Sequence, residues 1–232
     1  MTGWITGIGW VNGDGCGHGR AAQAAPCWTA TVSVPTRRQV FAKADLRFGR
    51  LDDFSRVGLA AIACCLRDAG LEQWQHKRAI GIVAATRKGC LTTDLAYLDT
   101  LLASGGALAS PNLFAYTLPN CFLGEAALRF GLVGNSLIIN QSPRNDLEVL
   151  RYALQELSWS CGQQGVLAGF CDVPPPDEKE RAGALFVMIE ATADTGTAPY
   201  GRLDLQGDRL VFNGRAMPDV DALVAACFGT MS

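Results

Sequence analysis

The sequence predicts an α/β layered domain, with a mainly parallel five-stranded sheet covered by helices on both faces. Three observations carry this. Runs with strand character alternate with runs of helical periodicity through most of the chain. Two of the strand-like runs, AIGIVAA at 79–85 and LIIN at 137–140, are too continuously apolar to face water on one side. The chain has 232 residues, 49% of them hydrophobic and 18% charged, enough to bury a substantial core.

The elements follow in order. Trp4 to Val11 is a β-branched and aromatic run, the opening strand, and it empties into a loop marked by Gly13, Gly15, Gly17 and Gly19. These glycines make no dinucleotide fingerprint. Asn12 follows Gly7 and Gly9, His18 follows Gly13 and Gly15, and Arg20 follows Gly15 and Gly17 where GxGxxG needs its third glycine. Phe54 to Ala69 is apolar on nearly all sides and runs into Gly70, so it reads as a buried helix with a glycine C-cap. Ala79 to Ala85 is the next strand. Thr92 or Thr93 is the expected cap of a helix through Leu102, closed by Ser104-Gly105-Gly106. Asn120 to Phe130 is helical and Leu137 to Asn140 a buried strand. Leu147, Leu150, Leu154 and Leu157 then share one helix face. Strands at Gly165–Cys171 and Ala184–Glu190 flank the loop VPPPDEKE. A linker from Thr192 leads to a hairpin, Leu203–Leu205 and Leu210–Phe212 around Gly207-Asp208, and to a short helix from Val220 to Phe228. The expected division is a domain over 1–191, with 192–232 as linker, hairpin and C-terminal helix packing on it.

Composition narrows the function classes. Twenty basic against 22 acidic residues give a net charge of -2, which supplies no field for a nucleic acid. Arg37, Arg38, Lys43, Arg47 and Arg50 form a basic cluster that reads first as a solvated loop and, as the alternative, as a surface for an acidic carrier protein. No apolar run approaches the roughly 20 residues of a membrane span. MTGWITGIGW lacks the basic and apolar regions of a secretion signal, so a cytoplasmic location is expected. The nine cysteines are odd in number, with Cys64 and Cys65 adjacent and no CxxC, which indicates neither a disulfide framework nor a zinc ribbon. No cofactor or metal is implied.

Four stretches then resemble the β-ketoacyl-acyl-carrier-protein synthases of the thiolase superfamily. ITGIGWV is similar to the family's opening strand, and Arg50 to Leu71, from FSR to DAGL, to its first core helix. SPNLFAYTLPNCFLGEAALRFGLVGNS resembles the loop and helix before the nucleophile, through Pro119-Asn120, Gly124, Arg129-Phe130-Gly131-Leu132 and Gly134. LAGFCD resembles a Gly-rich strand that ends in Asp or Glu.

The resemblance implies a thiolase-like fold in a shortened form, one half of the usual duplicated fold. It also implies where the chemistry would stand. Family members carry a nucleophilic cysteine nine residues after the glycine matching Gly134, at a helix N-terminus that lowers its pKa and holds the thioester oxyanion. Pro143 stands there in this sequence, with no nucleophilic atom and no N–H. Gln141, two places earlier, is out of register with the Gln that chain-length-factor subunits place at the nucleophile. The second half that brings the family's catalytic histidines does not follow, and His18 and His76 occupy no comparable positions. Cys90 and Cys121 are the remaining candidate thiols for an improvised Cys–His pair.

The expectation is therefore a non-catalytic, chain-length-factor-like subunit. It pairs as a heterodimer with an active ketosynthase, or with itself, through the strand Leu137, Ile138, Ile139 and Asn140. Phe114, Thr117, Leu118 and Phe122 face the partner or its acyl channel, although core packing is the plain alternative for the two phenylalanines. Fatty acid, aryl-polyene or polyketide assembly is the implied setting. The alternatives are a module that binds acyl chains or acyl-carrier protein alone, and a Cys-dependent hydrolase or acyltransferase.

Overall fold

The computed structural model describes residues 1–43, 45–103, 105–140, 146–175, 178–193 and 196–230. The first half runs β1 (Thr2–Asn12), β2 (Gly15–His18), α1 (Arg37–Val40), α2 (Asp53–Asp68), β3 (Ile80–Thr86), α3 (Leu91–Ala103), α4 (Pro111–Phe114) and α5 (Cys121–Phe130). The second half runs β4 (Ser136–Asn140), α6 (Glu148–Trp159), β5 (Gly165–Asp172), β6 (Gly183–Glu190), β7 (Gly201–Gln206), β8 (Arg209–Phe212), β9 (Arg215–Ala216) and α7 (Val220–Gly229).

One sheet holds the strands in the order β4-β3-β5-β6-β1-β7-β8-β9, with β2 also paired to β1. β3 lies parallel to β4 and β5, and β6 runs antiparallel between β5 and β1. Hence β1, β3, β4 and β5 share one direction and β6 opposes them, which is the mainly parallel five-stranded core. The strand count needs correcting, because this core is extended to nine strands by antiparallel pairing. β7 takes the free edge of β1 at Thr2–Ile5, β2 takes the same edge at Gly9–Asn12, and β8 and β9 continue outward. An 11-residue β1 flanked only by β6 would leave that edge's N–H and C=O groups unpaired.

The glycine-rich stretch expected as a loop is thus the turn and second strand of a hairpin. Asn12 turns the chain by accepting a hydrogen bond from Asp14 N at 3.0 Å, and Gly15 takes φ 115°.

Alternating residues feed two cores. On one face α2 and α5 cover Val11, Ile82, Ala84, Leu167 and Phe186. On the other, α6 and α7 cover Ile5, Ile8, Val83, Val166 and Val187. α2 reads as apolar on nearly all sides because it is enclosed on nearly all sides, with only Asp53, Arg56 and Arg67 reaching solvent. Its N-cap Asp52 accepts from Ser55 N at 3.0 Å. It ends through Gly70 at φ 72°, with Leu71 N on Leu66 O at 2.6 Å.

The helix lies directly on β1. A Cβ at Gly9 would fall 2.0 Å from Cys65 N and 2.6 Å from Ala61 O, and one at Gly7 2.5 Å from Cys65 O. ITGIG is therefore a groove for a helix backbone.

One cap departs from expectation. α3 starts at Leu91, ahead of both threonines, and the Thr93 hydroxyl donates to Asp52 Oδ2 at 2.5 Å, joining α3 to the start of α2.

Candidate functional site

In open α/β sheets, ligands bind beyond the carboxyl ends of the parallel strands. Those ends are Thr86 of β3, Asn140 of β4 and Asp172 of β5. Asp172 is buried, and its carboxylate accepts from Thr86 Oγ1 at 3.0 Å, Arg87 N at 2.8 Å and Arg87 Nε at 3.1 Å. Thr86 Oγ1 accepts in turn from Gly89 N at 2.8 Å. The acid that closes LAGFCD therefore pins the ends of β3 and β5 together and turns the chain into α3.

Beyond this pin lies a cleft of about 490 Å³ between Leu51, Asp52 and Phe54 before and within α2, Cys90 and Thr93 at α3, and Leu113 and Tyr116 at α4. Its thiol is quiet. The Cys90 sulfur donates to Asp94 at 3.6 Å, and burial, reinforced by that carboxylate, pushes the thiol up to about 12. Cys121 donates to Ala115 O at 3.2 Å, and burial raises it too. Both are protonated at neutral pH.

The histidines stand elsewhere. His76 is exposed. His18 Nδ1 meets Asp68 Oδ1 at 3.0 Å, at the far end of α2 from Cys90, about 22 Å along the helix axis.

Asp68 is a hub that the sequence reading missed. It is enclosed and also accepts from Ile8 N at 2.8 Å, Arg20 N at 2.7 Å and Tyr200 OH at 2.7 Å. Arg20 lies over the Tyr200 ring, 4.7 Å from its centroid. One carboxylate therefore joins β1, the segment after β2 and the chain leading into β7. The available signal was a single acid at the end of the apolar run FSRVGLAAIACCLRDA.

The four residues assigned to the partner or channel divide. Phe114 is 62% and Leu118 63% exposed, and Thr117 between them is half-buried, its hydroxyl on Phe114 O at 2.9 Å. Phe122 requires a correction as an outward-facing residue. It is wholly enclosed, with its ring centroid 5.4 Å from that of Phe54 and 6.2 Å from that of Phe186, and it packs against Gly58 of α2. Phe122, Ala126 and Phe130 repeat at helical spacing on the α2 side of α5, which leaves Phe122 no path outward.

Phe114 packs on Tyr97 with centroids 5.5 Å apart, joining α4 to α3. α3 itself buries only Thr93 and turns Leu95, Leu98 and Leu102 outward, Leu102 at 69% exposure. β4, with Leu137, Ile138 and Ile139 half-buried and Asn140 exposed, is the first strand of the sheet and pairs only with β3 among the described residues. Pro143 and Gln141 lie outside the described residues.

No family model matches this chain, and no curated protein does. Solved structures do. The ishigamide ketosynthase/chain length factor aligns at TM-score 0.67 and 16% identity, over 87% of this chain and 62% of that one. A type II PKS acyl-carrier protein in complex with its ketosynthase aligns at 0.66 and 18%, over 87% and 67%. A ketosynthase in complex with its chain length factor from Xenorhabdus doucetiae aligns at 0.56 and 18%, over 84% and 81%. The chain thus has the thiolase-like fold of ketosynthases and chain length factors, and spans about three fifths to two thirds of the first two relatives.

Proposed function

We propose that this chain is a non-catalytic, ketosynthase-like subunit that pairs with an active ketosynthase and shapes the end of its acyl channel during polyketide, aryl-polyene or fatty acid assembly. The observation that carries the reading is the set of outward apolar side chains on α3, on α4 and just after α4, where Leu95, Leu98, Leu102, Phe114 and Leu118 are exposed. Leu95, Leu98 and Leu102 share one face of α3, Phe114 meets α3 at Tyr97, and exposed apolar side chains gathered in this way call for a partner. The edge of β4, unpaired among the described residues, supports the same reading, since an edge strand pairs readily with a second chain. The match to the Xenorhabdus complex adds that one of its two proteins is about as short as this chain. The reading further rests on Pro143 at the nucleophile position and on the protonated state of Cys90 and Cys121.

A module that binds acyl chains or acyl-carrier protein alone is the second reading. The cleft of about 490 Å³ favours it, together with the exposed Arg38, Lys43 and Arg50. Reconstitution separates the two. Purified chain and cognate ketosynthase are supplied with malonyl-loaded carrier protein, and product is expected only when both are present. Full elongation by the synthase alone, with acyl uptake by the isolated chain, supports the second reading against the first.

A further inference from the structure

β2 and α2 face each other in register. His18 and Gly9 are cross-strand partners, as are Cys16 and Val11, so Cys16 and His18 project to the side where α2 lies on Gly9. The contacts of Gly7 with Ala69 and of Gly9 with Ala61 set α2 antiparallel to β1, and hence in the same direction as β2. Two strand residues advance about 6.6 Å and four helix residues about 6.0 Å. With His18 fixed on Asp68 at 3.0 Å, Cys16, two places earlier, is held over Cys64, four places earlier. The two thiols are near enough that each alters the acidity of the other.

Their environments differ. The neighbouring Cys64 thiol lowers that of Cys16, with help from the Arg67 guanidinium and against its own burial, while the same neighbour and burial push Cys64 well up. Cys16 is half-buried, on the edge strand β2, whereas Cys64 is enclosed. Cys16 is thus the outer and the more acidic of the two thiols, and Cys64 lies behind it.

We propose that Cys16 and Cys64 form a redox-active pair, in which a small hydroperoxide oxidises Cys16 and Cys64 then closes a disulfide between β2 and α2. In the first step the Cys16 thiolate attacks the peroxide. The O–O bond breaks, sulfur is oxidised to the sulfenic acid, and the leaving oxygen takes a proton as water or alcohol. In the second, Cys64 sulfur attacks Cys16 sulfur, the S–S bond forms, the S–O bond breaks, and hydroxide leaves as water with the Cys64 proton. Two thiols and one hydroperoxide yield one disulfide, one water or alcohol, and one further water.

The test oxidises the folded full-length chain with stoichiometric hydrogen peroxide and maps it under non-reducing conditions. The expected product is a Cys16–Cys64 cross-linked peptide that dithiothreitol reverses, formed ahead of oxidation at the exposed Cys27 and Cys161. Cys64→Ala is expected to leave a dimedone-reactive sulfenic acid on Cys16, and Cys16→Ser to leave Cys64 a thiol. Oxidation of Cys27 and Cys161 with Cys16 still a thiol overturns the proposal, as does a dimedone adduct on wild-type Cys16 without the cross-link. The wild-type map needs no variant, so a poorly folding Cys64→Ala does not remove the test.

Discussion

Replacing Phe114 and Leu118 together with serine tests the partner surface without touching the core. Both are mostly in solvent in the free chain, at 62% and 63% exposure, so the two changes together cost the isolated protein about 1 kcal/mol, most of it from the contact of Phe114 with Tyr97. The melting temperature is expected to stay within about 4 °C of the parent. In a complex that covers them, the outcome differs. Full burial of such a side chain contributes about 1.5–3 kcal/mol, and roughly two thirds of each remains to be buried. The pair therefore accounts for about 2–4 kcal/mol of association, a loss of roughly 30- to 1,000-fold in Kd. Isothermal titration of purified ketosynthase into each form, beside a thermal melt of the chain alone, measures both numbers. An unchanged Kd together with an unchanged melt refutes the assignment of this surface.

Three further outcomes are expected. Gly9→Ala puts a methyl 2.0 Å from a helix backbone nitrogen and should destabilise by about 3 kcal/mol or more, while Gly124→Ala, on open helix surface, should stabilise by about 0.5–1 kcal/mol; urea midpoints that shift equally contradict the close approach of α2 to β1. Tyr200→Phe removes a donor from buried Asp68 and should cost about 1.5–3 kcal/mol in urea unfolding, whereas a shift near zero argues against the hub. Pro143→Cys should yield no condensation of malonyl units by the chain alone, and turnover from that one substitution contradicts the non-catalytic reading.

Legibility in the sequence followed local periodicity. The five core strands and the main helices around them were readable because LIIN and AIGIVAA are continuous apolar runs and the leucines at 147, 150, 154 and 157 recur at helical spacing. β2 was not, because four residues rich in glycine look like a loop until β1 offers them an edge. Its Asn12-Gly13-Asp14-Gly15 turn was a hairpin signal in plain sight. The spacing of the glycines denied them a dinucleotide fingerprint but did not say why Gly7 and Gly9 are glycine. They exclude Cβ atoms for the sake of a helix packed directly on β1, a tertiary contact that spacing does not reveal. Phe114 and Phe122 sit in one stretch of similar composition, yet only the helical repeat of Phe122, Ala126 and Phe130 marks one as core. The exposure of Phe114 depends on α3 and α4 standing off the rest of the fold, a tertiary fact. Asp68 was visible as an acid in an apolar run, but its partners arrive from positions 8, 18, 20 and 200.

The mass of the species formed by mixing purified chain with its cognate ketosynthase, read by light scattering behind a sizing column, bears on the subunit reading without intermediate assumptions. A single peak with the summed mass of one copy of each is the predicted result. Two peaks at the separate masses, with the synthase elongating malonyl units unaided, contradict it.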